Sequence, residues 1–327
     1  VDTPRKTTLT SENYHVSQAG SAMTRSGFLR FFGAGTLAPA VLTQAAGHGE
    51  VLRFGLITDC QYADSDTPPG GLSSRFYRRS PQKLADEIAR FNAMPDLEFL
   101  VHLGDAIDRD ERSFGVVLPI FRSSRVPVLH VAGNHDYSVA DAIKEKVPAL
   151  LGMPSPFYRR DFGRWRLLML DGNAVSLFAW PEGSPQHGEA LAFRKAAGGS
   201  LPDYNGGLGG SQLEWLRSEL TEARSRGLRC LLCCHYPVLP QDGHVLWDAP
   251  DVLALLHDFQ DVVAAWFNGH NHAGGYVTSN GIHCLTFRGM VEKDSSAAAR
   301  IECFADRIVV TGFGREPSRI LPLPAGV

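Results

Sequence analysis

Five short segments of the chain carry side chains suited to metal-ion and phosphate chemistry: Asp59-Cys60-Gln61, Gly104-Asp105-Ala106-Ile107-Asp108, Gly133-Asn134-His135-Asp136, Cys234-His235-Tyr236-Pro237 and Gly269-His270-Asn271-His272. Carboxylate, carboxamide and imidazole groups are the ordinary protein ligands of divalent cations. Each segment directly follows a short apolar run, and such runs read as buried strands. The runs are Val51–Thr58, Leu97–Leu103, Val126–Ala132, Cys230–Cys234 and Val262–Phe267. Glycines at 104, 133 and 269 allow the backbone to turn sharply where a strand stops. Open α/β sheets place their sites outside the carboxyl ends of the strands, so the five loops are expected to converge on one place.

The intervening text supplies the helices and hairpins that such a sheet needs. Ser80-Pro81 reads as an N-cap and first-turn proline, with Leu84, Ile88 and Phe91 on one stripe. Phe157–Phe162 and Trp165–Leu170 flank Gly163-Arg164 as a hairpin. Ser211-Gln212-Leu213-Glu214 has the form of a capping box, opening a helix with Leu213, Leu216 and Leu220 inward and ending near Gly227. A further helix is expected from Pro250 to His257. Ile282–Phe287, Arg300–Phe304 and Arg307–Gly312 read as an antiparallel set of strands.

Composition narrows the function classes. The chain has 327 residues, 44% hydrophobic and 20% charged, which supports a sizeable core and excludes disorder. Its formal charge of -3 and the lack of a long basic run argue against nucleic acid as a partner. No stretch of about 18 apolar residues suggests a membrane span, and no protein partner is evident. Cys230, Cys233 and Cys234 lie within one expected strand, where residues three apart face opposite ways and cannot chelate one ion, so they read as buried thiols.

Residues 1–49 read as an irregular N-terminal segment and 50–327 as one continuous α/β domain. Within the first, residues 23–46 resemble a twin-arginine export signal. Arg25 is followed by an apolar stretch from Phe31 to Leu42 and by the small residues Ala45-Ala46-Gly47, with Ser26 where the second arginine stands. The expectation is export or a periplasmic location, with the cytoplasm as the alternative.

The order and spelling of the five loops resemble those of the calcineurin-like metallophosphoesterases. In that family two metal ions sit at the strand ends of a two-sheet α/β/β/α sandwich, and the usual first motif is Asp-x-His. Here Gln61 takes the histidine place. With Asp59-Cys60-Gln61-Tyr62-Ala63-Asp64, Arg75-Phe76-Tyr77-Arg78-Arg79-Ser80, Asn205-Gly206-Gly207 before Gln212-Leu213-Glu214-Trp215-Leu216, and Gly269–Tyr276, the chain resembles the manganese-dependent ADP-ribose/CDP-alcohol diphosphatases. The resemblance runs from about Val51 to the C-terminus.

That resemblance implies a set of roles. Asp105 matches the ligand bridging two divalent ions; Asp59, Gln61 and His272 complete one ion, and Asn134, His235 and His270 the other. An oxygen-rich set with imidazoles and no thiolate suits manganese, the expected ion, with iron, zinc or magnesium as alternatives. A hydroxide shared by the ions is then expected to attack the pyrophosphate in line, without a covalent enzyme intermediate. His135 matches the histidine that protonates the leaving oxygen, and Asp108 the carboxylate that orients it. Arg75, Tyr62, Asn205 and Gly206 are the candidate substrate contacts, against the plainer readings of solvated helix lead-in, packing aromatic and tight turn. Competing functions are a phosphomonoesterase or cyclic-nucleotide phosphodiesterase on the same scaffold, and a non-catalytic metal-dependent binding module. His102, His130 and His283 are expected in the core, and Asp64, Asp110 and Asp136 as loop caps.

Overall fold

Apolar runs become strands and amphipathic stretches become helices in the computed structural model, which describes residues 51–65 and 74–324. Residues 1–50, and with them the candidate export signal at 23–46, lie outside the described residues. In the first sheet β1 (Leu52–Ile57), β2 (Phe99–His102) and β3 (Val128–His130) run parallel. On the other side of β1 the sheet continues antiparallel through β10 (Ala297–Cys303), β11 (Arg307–Gly314) and β12 (Arg319–Pro322).

The second sheet runs in the order β4 (Tyr158–Phe162), β5 (Trp165–Met169), β6 (Arg229–Cys233), β7 (Val263–Asn268), β9 (Ile282–Thr286) and β8 (Gly275–Ser279). Strands β5, β6, β7 and β9 are parallel, and β4 and β8 close the edges antiparallel. The expected C-terminal antiparallel set is thus divided. Strand β9 joins the second sheet, where Ala265 pairs with His283, and only β10 and β11 of the expected three strands join the first.

Alternating side chains glue the sheets face to face. Phe54, Phe99, Val101, Leu167, Met169, Leu231, Cys233, Ala265 and Phe267 belong to one buried cluster, which also takes in Leu84, Ile88 and Phe91 of α1 (Ser80–Asn92) and Phe114 and Val117 of α2 (Phe114–Arg122). The opposite face of β6 and β7 offers Cys230, Leu232 and Trp266 to a second layer. Two single-turn helices, α3 (Asp141–Lys144) and α4 (Val147–Leu150), and a longer one, α5 (Pro185–Ala196), intervene in the chain. Helices α6 (Gly210–Ser225) and α7 (Ala249–Asp258) then cover that layer with Leu216, Leu220, Val252 and Leu255. The result is the expected α/β/β/α sandwich. Cys230 and Cys233 fall in different clusters, and all six cysteines are buried and free. Burial pushes the Cys230 and Cys233 thiols up to about 12, so they carry no thiolate for a metal.

Two helix starts differ from expectation. Ser80 is already helical, and its hydroxyl donates to Phe76 O at 3.4 Å. Ser211 likewise lies inside α6, whose N-cap is Gly209 at φ 75°, with no side-chain cap and only Leu216 and Leu220 fully buried of the expected stripe. The loop before each helix fixes its entry, and the local serine is left over. No helix among the described residues is long and apolar enough to cross a membrane.

His102 and His130 meet between β2 and β3, their Nδ1 atoms 3.1 Å apart and both rings near Phe121. Burial pulls His130 down from 6.5 to about 4, and burial together with His130 pulls His102 well below 6.5. Both are therefore neutral in the fold and protonate more readily unfolded. Their contribution to stability is present above about pH 6.5 and is lost as pH falls toward 4, by roughly 3 kcal/mol for His130 alone. Chemical denaturation of the full chain at stepped pH should show this loss, and His102→Leu with His130→Leu should flatten it.

Candidate metal centre

The parallel strands of both sheets end at one place, which is where the chemistry-bearing loops meet. From the first sheet come Asp59 and Gln61 after β1, Asp105 after β2 and Asn134 after β3; from the second come His235 after β6 and His270 and His272 after β7. Backbone bonds stitch the loops together: Asp59 N–H donates to Gly104 O, Gln61 N–H to Asp105 O and Gly269 N–H to His235 O. Asp59 (φ 50°), Gln61 (45°), Asp105 (58°) and His270 (67°) all adopt left-handed backbone. That conformation costs a non-glycine residue on the order of 1 kcal/mol or more and persists only where the surroundings enforce it. Gly104 and Gly269 stand directly before two of these residues, and the loop glycines permit close approach. A Cβ on Gly133 would lie 2.1 Å from Asp105 Oδ1, and one on Gly269 would lie 2.0 Å from Thr58 Oγ1.

Single ligand atoms of Asp59, Asp105 and His235 lie within 4.8 Å of one another, all buried. Asp105 Oδ2 accepts from Gln61 Nε2 at 2.9 Å and faces His235 Nε2 at 3.2 Å. His235 Nε2 in turn is 3.2 Å from Asn134 Oδ1 and 3.2 Å from His270 Nδ1. His272 Nε2 stands 3.3 Å from Asp59 Oδ1, and Thr58 Oγ1 donates to Asp59 Oδ2 at 2.7 Å. Side-chain contacts of hydrogen-bond length thus link five of the seven expected ligands, and Asp59 and His272 form a pair of their own, joined to the five by the His270 N–H donating to Asp59 Oδ1 at 3.3 Å.

The donor set fits divalent ions. Each imidazole has its outward nitrogen tied to an oxygen: His235 Nδ1 to Leu103 O at 2.8 Å, His270 Nε2 to Asn205 Oδ1 at 2.8 Å, and His272 Nδ1 to Glu292 Oε1 at 2.8 Å. Donation there leaves the inward nitrogen with a free lone pair, the arrangement of a metal-ligating histidine. Gln61 Oε1 is buried with no hydrogen-bond partner, an acceptor that a cation would satisfy.

Electrostatics follow from the crowding. Burial would raise Asp105, but His235 and His135, with hydrogen bonds from His235 and Gln61, hold its carboxyl well below the usual carboxylate range. Burial would lower His235, but Asp105 and Asp59 push it up to about 9. Burial, with His235 beside it, depresses His270; His272 is raised by Asp59 and Glu292 against the effect of burial.

Asp136 is the staple of the second and third loops. Buried completely, its carboxylate accepts the N–H groups of Asp105, Ala106 and Gly133 at 2.9 Å each and of Ile107 at 3.3 Å. This is the loop-capping role expected from sequence. Asp136→Ala would leave four buried donors unsatisfied. A loss of roughly 3–5 kcal/mol of stability is expected by urea titration, with Asp136→Asn losing less because one acceptor oxygen remains.

His135 sits at the rim with 27% of its side chain exposed. Its backbone N–H donates to Asp105 Oδ1 at 2.8 Å, and its Nδ1 is held by Asp108 O at 3.0 Å and Asp108 Oδ1 at 3.3 Å. Arg109 Nε donates to the other Asp108 oxygen at 2.6 Å. Nε2 is then the nitrogen available to a substrate.

The candidate substrate residues fall differently. Arg75 makes an ion pair with Glu292 at 3.4 Å, Arg78 binds Asp64, and Arg79 binds Asp294. Tyr62 is half-buried, its backbone N–H donating to Ala106 O. Asn205 is buried; its Nδ2 donates to Gly243 O and Val245 O, and its Oδ1 receives the His270 proton. Gly206 lies so close to Gly172 O that a Cβ would stand 2.4 Å from it. Tyr204 remains 47% exposed, its ring centroid 5.9 Å from that of His270. Sequence reasoning missed Glu292, which lies in a loop with no motif, and missed Asn205 as the anchor of His270.

A family model described as calcineurin-like phosphoesterase matches residues 52–274. A protein of Oryza sativa subsp. japonica named manganese-dependent ADP-ribose/CDP-alcohol diphosphatase is 30% identical, over 82% of this chain and 93% of its own length. A human protein of the same name is 28% identical over 83% and 92%. The crystal structure of a dimetal phosphatase from Danio rerio superposes with a TM-score of 0.76 at 26% identity, covering 84% of this chain and 99% of that one.

Proposed function

The chain belongs to the calcineurin-like phosphoesterase family, and from that premise we propose that it hydrolyses the pyrophosphate bond of nucleoside diphosphate derivatives of the ADP-ribose and CDP-alcohol kind. Asp59, Gln61, Asp105, Asn134, His235, His270 and His272 would hold two divalent ions, manganese foremost. The observation that carries the reading is the set of three imidazoles whose outer nitrogens are all tied to oxygens while their inner nitrogens turn to the same place, His235 Nε2 facing Asp105 and Asn134, His272 Nε2 facing Asp59, and His270 Nδ1 lying 3.2 Å from His235 Nε2. Bound there, such ions supply Lewis acidity toward phosphate oxygens and acidify a nucleophilic water.

The chain's own groups supply the rest. The ionised Asp105 gives the site its negative charge, and its hydrogen bonds to Gln61 Nε2 and His135 N fix where that charge lies. His135, held through Nδ1 by Asp108, presents Nε2 to the leaving phosphate oxygen and gives it a proton. The products would be a nucleoside monophosphate and a phosphorylated partner. Gln61, an amide where an imidazole is usual, makes the first donor group harder and favours manganese over zinc.

Metal-stripped protein given Mn, Mg or Zn and offered ADP-ribose, CDP-choline, a nitrophenyl phosphate, its diester and a cyclic nucleotide provides the test. The highest kcat/KM is expected for ADP-ribose or CDP-choline with Mn. No product with any ion, or a preference for the monoester or cyclic nucleotide, would remove this reading. The twin-arginine-like stretch at 23–46 supports export as part of the same proposal; N-terminal sequencing of protein recovered from the periplasm should begin near Ala46 to Glu50.

A further inference from the structure

We propose that Glu292 is the positioning residue for His272, and that Arg75 acts on the site through Glu292 and not by binding the substrate phosphates. The inference rests on the metal-holding reading above. Glu292 Oε1 accepts from His272 Nδ1 at 2.8 Å, and the same oxygen faces Arg75 Nε at 3.4 Å. The carboxylate is 15% exposed and the guanidinium 20%, so the pair is largely shielded from solvent screening.

The backbone around Glu292 is built as a strap across the first loop. Met290 N–H donates to Thr58 O at 3.1 Å and Val291 N–H to Asp59 O at 2.9 Å. Phe76 N–H donates to Val291 O at 2.9 Å, and Arg75 and Glu292 face each other in an antiparallel bridge. From beneath, the buried Lys83 donates to Met290 O at 2.5 Å and Lys293 O at 3.1 Å. Gly289 packs so tightly on the His272 ring that a Cβ would stand 2.7 Å from Cγ. Ring position, ring rotation and the protonated nitrogen of His272 are therefore all set by one segment, 289–293.

His272 thus lies between two carboxylates, Asp59 on Nε2 and Glu292 on Nδ1. The inner one serves the cation; the outer one fixes the tautomer and raises the basicity of the ligating nitrogen, an arrangement whose loss costs metal affinity about 10- to 100-fold. Arg75 places a positive charge beside the outer carboxylate, which Ser74 also hydrogen-bonds. The Nε edge of the guanidinium is thereby turned toward Glu292.

Manganese titration of the metal-stripped full chain, wild type against Glu292→Ala, Glu292→Gln, Arg75→Ala and the Ala/Ala double variant, reads this directly through site-resolved affinity, with KM and kcat measured alongside. Wild type is expected to take up two ions. Glu292→Ala should weaken one of them by about 10- to 100-fold and leave the other. Glu292→Gln, which keeps the acceptor oxygen, and Arg75→Ala should shift the same ion by less. The double variant should match Glu292→Ala alone, because Arg75 has no separate route to the ion. If Glu292→Ala fails to fold, Glu292→Gln and Arg75→Ala carry the test. Two ions bound with affinities unchanged in these variants would overturn the inference alone. So would an Arg75→Ala protein with intact manganese affinity and a raised KM that adds to the effect of Glu292→Ala. No manganese uptake by wild type would overturn the metal reading itself.

Discussion

Asp105→Asn protein is expected to bind fewer than two manganese ions per chain and to lose more than about 1,000-fold in kcat/KM. Losing an outer partner of a ligand already costs about 10- to 100-fold in affinity, and in the proposed function Asp105 touches the ions directly. Asparagine keeps the shape and removes the charge. Its oxygen could still accept from His135 N, now at 2.8 Å from the carboxylate. Its amide would then confront Gln61 Nε2 and His235 Nε2, now 2.9 and 3.2 Å from the other oxygen. Two amide donors face to face leave a buried group unsatisfied, so Gln61 must turn and the donor set opens. Elemental analysis and a coupled phosphate assay measure both outcomes. Two ions retained, with kcat/KM within tenfold of wild type, would remove Asp105 from the centre of the site.

His135→Ala should separate proton transfer from metal binding. The side chain is held by Asp108 and not by the buried donor cluster, while the backbone N–H that supports Asp105 survives in alanine. Metal content should therefore stay at two ions and KM change little, with kcat for a nucleoside diphosphate substrate falling about 100- to 10,000-fold. The loss should shrink with a nitrophenyl leaving group, which departs without needing a proton. Asp108→Ala should reproduce the effect in weaker form, because Asp108 O would still hold Nδ1. A fall of similar size for good and poor leaving groups, or loss of an ion, would show that His135 does something other than protonate the leaving oxygen.

The failures of sequence reading share a cause. The stripe of α1 and the hairpin of β4 and β5 were legible because periodicity is a local property of the chain. The caps at Ser80 and Ser211 were misread because helix entry is decided by the preceding loop, as Gly209 shows at φ 75°. Strand β9 looked like its C-terminal neighbours, yet its pairing with β7 depends on which sheet edge the chain meets first. Asn205, a candidate substrate contact, has a further place that no local pattern marks, buried between His270 and the carbonyls of Gly243 and Val245. Glu292 has no motif around it, and its importance comes from hydrogen bonds to Thr58 and Asp59 made by its neighbours more than 200 positions away.

The amino-acid order by itself determined the donors: Asp, Asn, Gln and His placed at strand ends, with glycines at 104, 133 and 269 where the backbone must turn beneath them. Ligand type and strand termination are encoded within a few residues, so a reader of the chain can find them. Only the tertiary structure decided which oxygen holds the far side of each imidazole: Leu103 O, Asn205 Oδ1 and Glu292 Oε1. Those partners are a carbonyl and two loop side chains brought in by sheet packing and backbone straps. Because a carbonyl, an amide oxygen and a carboxylate can each accept a hydrogen bond from an imidazole, sequence carries no mark of the one that geometry selects.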